Sequence, residues 1–462
     1  MPILDREQTY ASLDSLHKNP EQYGLITALC AVIALQPEIL DPREPSENPA
    51  DRIPSADTFI AASTQSRLYY DYIKTSTLAT VQTSYFLYAA LFFIGRDNPA
   101  TFYIRDAMAM LQLQRFHEED TYSKMADPQY AAYCRRTFWL LFITERGYAL
   151  QRHRTLTLTL QPCIDLPTVS LEPEATILSG FLDLISLFRN IDDTFLTLWN
   201  FSSANSIASP EPLIRLQDNL KSAPLDRSDR TDAQQADLLI SRQWLKMVAW
   251  QLCVTKYFLS SSATNESMSF QYPFTIARDV VLFSRSLPSE AFEAHGVGIL
   301  EKVFDIGCSL ADTLLLQRNR MQVSSLEIGP RDYLMELIGI LGTCFGGSSK
   351  CLGMLAAKAE ECLHVKIKRT LSDSETSNKL VVIENINDDE ENYEREGNGE
   401  TFYGSSPAVE IQDAEVVADI PDGDLSEKYS SSNSLSPTNL SYPLLPLRAG
   451  LEQNLGGGFD GY

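Results

Sequence analysis

No two of the eight cysteines (30, 134, 163, 253, 308, 344, 351 and 362) stand at C-x-x-C spacing; the nearest pair, Cys344 and Cys351, has six residues between its members. A thiolate zinc site needs ligands close enough in sequence to wrap a tetrahedral ion, so this spacing points to buried, reduced thiols. Long apolar runs are also missing. The longest, Tyr85 to Ile94, is ten residues, about half of the roughly 20 that a membrane span requires. The start, Met1-Pro2-Ile3-Leu4-Asp5-Arg6-Glu7, has neither the basic residues nor the apolar block of a signal peptide, and the chain reads as intracellular without membrane contact. Catalytic signatures are absent: there is no G-x-S-x-G elbow, Walker A loop or H-E-x-x-H helix. The chain therefore reads as a non-enzyme. Gly342 to Lys350 has glycines and a lysine at the wrong spacing for a phosphate loop and reads as a helix break. His117-Glu118-Glu119-Asp120 reads as a solvated helix end.

Positive charge is scarce. The net charge is −23, and the last 91 residues hold 19 acids against 4 bases. Nonspecific affinity for nucleic acid comes mainly from Lys and Arg neutralising phosphate, so autonomous DNA binding is not expected.

What is present is helical periodicity from Leu4 to about Leu371. The pattern predicts helices over roughly 5–17, 21–36, 56–75, 78–94, 99–115, 128–153, 174–200, 231–260, 273–287, 297–319, 330–345 and 350–370. Asp127-Pro128 supplies an N-cap followed by proline at the first helical position, Thr231 can cap the helix that carries Leu238, Leu245, Val248, Leu252 and Leu259, and Gly95 follows Ile94 as a stop signal. Ile177, Phe181, Leu184, Phe188, Ile191, Phe195 and Leu198 form a heptad-like stripe that can pack inside the body or serve as a dimer seam. Thr155 to Leu160 alternates strictly, yet no second alternating run stands nearby, so it reads as an extended connection. Segments 37–54 and 201–230, rich in Pro, Ser, Asp and Arg, read as surface loops. No repeat of solenoid length emerges.

The most constrained stretch is Arg135-Arg136-Thr137-Phe138-Trp139-Leu140-Leu141-Phe142-Ile143-Thr144-Glu145-Arg146, continuing to Arg152-His153-Arg154. Six consecutive apolar residues make a helix buried on every side, and charges one turn outside such a core must find partners or cost several kcal/mol. Two readings stay open. In the structural one, Arg135 stacks on Trp139 while Arg136, Glu145 and Arg146 bridge to acids on neighbouring helices. In the other, Arg146, Arg152 and Arg154 line a pocket for an anionic effector.

Beyond Leu371, acidic runs and a Gly-rich end predict a disordered acidic tail over 372–462, following a helical regulatory body over 1–371. Acids interleaved with Phe402, Tyr403 and Tyr429 match the composition of transcriptional activation segments, with an inert solubilising tail as the other reading.

The arginine and tryptophan helix closely resembles the RR-x-x-W-x-x-(F/Y)-x-x-(E/D)-R helix in the middle homology region of fungal zinc-cluster transcription factors. Met1 to Tyr10 resembles the opening of that region, Tyr23 to Ala31 its next segment, and Thr101 to Leu113 its helix with an arginine at Arg105. The three occur in family order. The resemblance departs at Thr155, where the family commonly has proline, and the zinc cluster that would precede Met1 is not in the sequence. It implies an all-α regulator of transcription, located in the nucleus and controlling a metabolic or biosynthetic gene set. Its partners would be a coactivator or a DNA-bound regulator, in a homo- or heterodimer, with DNA reached indirectly or through a missing N-terminal module. No cofactor is expected in this chain, zinc entering only through an upstream cluster. A helical metabolite sensor without a direct transcriptional role is the alternative.

Overall fold

The computed structural model describes residues 3–36, 54–158, 163–168, 175–200, 209–223, 230–256, 258–259, 265–317, 328–343, 348–363, 365–369 and 380–385. These residues form sixteen α-helices and a single antiparallel strand pair. The body is therefore all-α, with the strand pair at its C-terminal margin. No helix among the described residues is long and apolar enough to cross a membrane.

The first half runs α1 (Arg6–Ser12), α2 (Pro20–Ile33), α3 (Ala56–Ser66), α4 (Leu78–Phe93), α5 (Asp97–Leu113), α6 (Glu119–Ser123) and α7 (Pro128–Arg152). Its centre is α4, whose residues are buried on every side of the helix from Thr80 to Phe92. The helix α4 packs on α2 and α5, and α2 packs on α3. The crossing of α2 and α3 is close because Gly24 has no side chain: Ser63 Oγ donates to Gly24 O at 2.8 Å, and a Cβ on Gly24 would stand 2.5 Å from Ser66 Oγ. The stop signal at Gly95 works as expected. Gly95 has φ +73°, and the amides of Gly95 and Arg96 return to the carbonyls of Phe92 and Leu91, closing α4 with a Schellman motif.

The second half runs α8 (Ala175–Phe188), α9 (Asp193–Asn200), α10 (Glu211–Ser222), α11 (Asp232–Thr255), α12 (Tyr272–Ser284), α13 (Ser289–Glu293), α14 (Val297–Gln317), α15 (Pro330–Thr343) and α16 (Ser348–Leu363). Here α14 packs against α11, α12, α15 and α16, while α8 bridges α7 and α11. Thr231 caps α11 in a full capping box with Gln234. Asp127 caps α7 through the amide of Gln129 at 2.9 Å.

Four expectations change. The single helix predicted over 174–200 breaks at residues 189–192. Asn190 Nδ2 takes the carbonyls of Ser186 and Leu187, and Asp192 Oδ1 accepts from the amide of Phe195, so one side chain ends α8 and the other starts α9. The heptad-like stripe is nonetheless inside the body: Phe181, Phe188, Ile191, Phe195 and Leu198 are buried, Leu184 is half-buried and only Ile177 is exposed. Within the loop predicted over 201–230 lies α10, whose Leu213, Leu216 and Leu220 share one buried face. The helix predicted over 56–75 stops at Ser66, followed by a single 3₁₀ turn, Arg67–Tyr69. Finally, the helix predicted over 350–370 stops at Leu363, where Val365 and Ile367 favour extended backbone. There β1 (Val365–Arg369) begins and pairs with β2 (Leu380–Asn385), with Ile367 opposite Ile383. Residues 386–462, which include Phe402, Tyr403 and Tyr429, lie outside the described residues, as do residues 37–53 of the first predicted loop and 344–347 of the glycine-rich break.

Candidate functional site: the arginine and tryptophan helix

The helix α7 is buried over Phe138, Trp139, Leu141, Phe142 and Ile143. Trp139 is fully enclosed, with Phe142 edge-on at 5.1 Å and its indole N–H donating to Asp165 O at 3.0 Å. Its cationic neighbour is not Arg135. The Arg189 guanidinium lies 5.9 Å from the Trp139 ring, whereas Arg135 stacks at 4.5 Å on Tyr122 and pairs with Glu119. The expected stacking of Arg135 on Trp139 is thus replaced by an aromatic from α6, since a neighbouring helix offers a ring face that a side chain four residues along does not. Arg136 is buried with its guanidinium 5.1 Å from Tyr133.

Glu145 and Arg146 do not bridge to acids on neighbouring helices as expected. Glu145 accepts the backbone amides of Thr157 at 2.6 Å and Leu158 at 3.3 Å, and receives Arg105 Nη1 at 3.5 Å from α5. Arg105 also donates to Thr157 Oγ1 at 2.5 Å and to the carbonyl of Thr155. Arg146 donates to the carbonyls of Leu158 at 3.4 Å and Ile191 at 3.5 Å, with its guanidinium 3.6 Å from the Phe142 ring. Burial lowers its pKa to about 10, and its Nη1 has no hydrogen-bond partner. Taken with Asp165, whose carbonyl is held by Trp139 and whose amide donates to Glu119 at 2.9 Å, these bonds make one device. Residues 155–158 lie against the C-terminal turns of α7 and Asp165 lies against its middle. The charged residues of α7 fasten the outgoing connection back along the helix that it leaves.

Arg152 acts elsewhere. It makes a two-pronged bond to Glu301 of α14 at 2.6 and 2.9 Å, and its Nε donates to Asp97 of α5 at 3.2 Å. One cation thereby joins the two halves of the body. Burial raises the pKa of Glu301 against the lowering effect of Arg152. One turn on, Asp305 accepts the Trp244 indole N–H at 3.0 Å and has its pKa pushed up to about 7, first by burial and further by Glu301. Arg154 is exposed, and its amide closes the end of α7 on Ala149 O at 2.9 Å. His153, at φ 49°, stacks on Trp199 with ring centroids 5.1 Å apart. Arg146 and Arg152 are therefore committed to different neighbourhoods, and Arg154 is exposed. Of the residues that complete the network, Asp97 and Glu301 carried no assignment from sequence, Arg105 had a signal as the arginine of a family-like segment, and Glu119, expected at a solvated helix end, is instead bonded to Arg135 and the Asp165 amide.

Cys134, Cys253, Cys308, Cys351 and Cys362 are buried free thiols, whereas Cys30 is half-buried and Cys163 exposed, against the expectation that all are buried; no group of three His, Cys, Asp or Glu among the described residues could hold a metal ion.

Comparison with known proteins gives the class first. The chain is 26% identical to a probable sucrose utilization protein of Candida albicans, over 66% of this chain and 60% of that protein. It is 22% identical to a maltose fermentation regulatory protein of Saccharomyces cerevisiae, over 71% of this chain and 67% of the relative. A respiratory transcription factor of the same yeast is 26% identical over 45% of this chain and 44% of its own length. The chain spans less than two thirds of the Candida protein. No family model and no solved structure matches it. The chain is thus similar, over up to about 71% of its length, to fungal proteins of sugar utilisation, maltose regulation and respiratory transcription.

Proposed function

We propose that this chain is the regulatory body of a fungal transcription regulator that controls a metabolic gene set, carbon-source utilisation being the set its relatives' names favour. The observation that carries the reading is the 309-residue match to the Candida sucrose utilization protein, supported by the maltose regulators. The chain acts in the nucleus through protein contacts, docking on or restraining a DNA-bound partner, because its net charge of −23 opposes phosphate. The body, which the strand pair extends from the expected end at 371 to Asn385, and the acidic tail that follows divide the work, the tail recruiting a coactivator through Phe402, Tyr403 and Tyr429. The reading assigns no cofactor to the chain itself.

The test is a fusion of the whole chain to a heterologous DNA-binding module, read on a reporter gene. Activation or repression relative to the module alone supports the proposal. A fusion that is expressed, enters the nucleus and leaves the reporter unchanged overturns it.

A further inference from the structure

The helix α11 carries two cations one turn apart, Arg242 and Lys246, and the i, i+4 spacing puts them on one face. Lys246 is only 6% exposed. Lysine is almost never buried to that depth unless it is paired. The backbone there is fixed by bonds that cross three helices: Gln217 Nε2 of α10 donates to Lys246 O at 2.9 Å, and the Tyr272 hydroxyl of α12 donates to Gln217 Oε1 at 3.1 Å. The two cations are thus held where α10, α11 and α12 meet.

Neither cation is answered. Arg242 Nε is enclosed without a hydrogen-bond partner, and among the described residues neither side chain forms an ion pair. Asp279 of α12 is the acid whose charge acts on both, yet one of its oxygens receives Arg278 Nη2 at 3.3 Å and the other Gln243 Nε2 at 3.4 Å. Glu266, in the 3₁₀ turn Glu266–Met268, acts on Lys246 from an exposed position, and exposed Lys221 of α10 opposes it. Positive charge is therefore left over, in a chain whose net charge is −23. Burial lowers the pKa of Arg242, and it lowers that of Lys246 to about 8 with Arg242 adding to the effect. A desolvated charge without a partner is unfavourable, so an anion that reaches the pair removes the penalty.

A guanidinium offers a planar fork of N–H donors and an ammonium three more, a set that suits an anion with several acceptor oxygens. Two positive charges match a phosphate group, which carries nearly two negative charges at neutral pH, better than a single carboxylate. We infer that Arg242 and Lys246, flanked by α10 and α12, form a binding site for a doubly charged oxyanion of phosphate type, free or esterified. The site shares no residue with the network around α7. Its anion gives the buried ammonium the partner it lacks.

Isothermal calorimetry on the purified full chain, with inorganic phosphate and with glycerol 3-phosphate as probes, tests the inference without DNA or transcription, so its outcome is separate from that of the reporter test. Saturable binding of at least one probe is expected, weakened at least tenfold in Lys246→Met, whose melting transition in chloride buffer shows that it is folded. If that variant has no cooperative transition, Arg242→Met, at a half-buried position, takes its place with the same expectation. Either order of the two probes supports the inference, tighter binding of the ester marking a metabolite as the source and tighter binding of the free ion marking phosphate itself. Sulfate, which keeps both charges across the range, should bind more weakly as pH rises through about 8, where unliganded Lys246 loses its proton, and should lose that dependence in Lys246→Met. No saturable heat with either phosphate overturns the inference. So does unchanged affinity in the folded variant, or tighter binding of acetate than of phosphate.

Discussion

Replacing Trp139 by alanine removes a fully enclosed indole together with its bond to Asp165 O. The expected cost is about 3–5 kcal/mol, the usual range for deleting a buried large aromatic, measured by chemical denaturation. Arg152→Met leaves Glu301 and Asp97 facing each other without a cation, which should cost about 3–5 kcal/mol, as for other broken buried pairs. Adding Glu301→Met should recover much of that loss, because the desolvated carboxylate goes with it. Asp305 gives a pH-dependent test. Its folded pKa of about 7 stands above the ordinary 3.8, so the folded state binds more protons than the unfolded one between those values, and this residue's contribution to stability falls as pH rises through that window. Asp305→Asn keeps an acceptor for Trp244 and cannot ionise. Its melting temperature should therefore gain on the wild type from pH 5 to 7 and level off above that, and a constant difference across the range would exclude this role.

Elements with strong local signals were legible in the sequence, and those set by distant partners were not. The caps at Asp127 and Thr231 and the stop at Gly95 are local chemistry, and α4, α7 and α11 fall within a few residues of their expected bounds. The break at 189–192 was hidden because Ile191 keeps the apolar stripe in phase while Asn190 and Asp192 cap the two helices on either side. The helix α10 was hidden by the proline- and serine-rich residues around it, which outweigh three leucines in any average. At the candidate site the buried helix and its need for charge partners could be read, but not the partners: Arg105 is 40 residues from Glu145, and Glu301 is 149 from Arg152. Between elements, Gly296 at the start of α14 offers a direct test. It has φ +52°, and a Cβ there would stand 2.2 Å from Phe93 Cε1 of α4. Gly296→Ala combines backbone strain with overlap and should destabilise by more than about 1 kcal/mol, again by chemical denaturation.

For the whole molecule, the strand pair sets where the body ends. A chain cut after Asn385 keeps β2 and should melt as the full chain does, whereas one cut after Leu371 leaves β1 without its partner and should melt lower, by calorimetric scan. In the reporter fusion, replacing Phe402, Tyr403 and Tyr429 by alanine should weaken any activation without moving the melting transition. A reporter indifferent to the three substitutions would reduce the tail to a solubilising segment.

The bond between Arg152 and Glu301 also bears on the chain's birth at the ribosome. At roughly 5–20 residues per second, the 149 residues that separate them take about 7–30 s to synthesise. Over that interval the nascent first half presents Arg152 and the bare end of α7 with no acid from α14 to receive them. The protein's early life thus includes a waiting period in which that surface of the first half stands uncovered by α14.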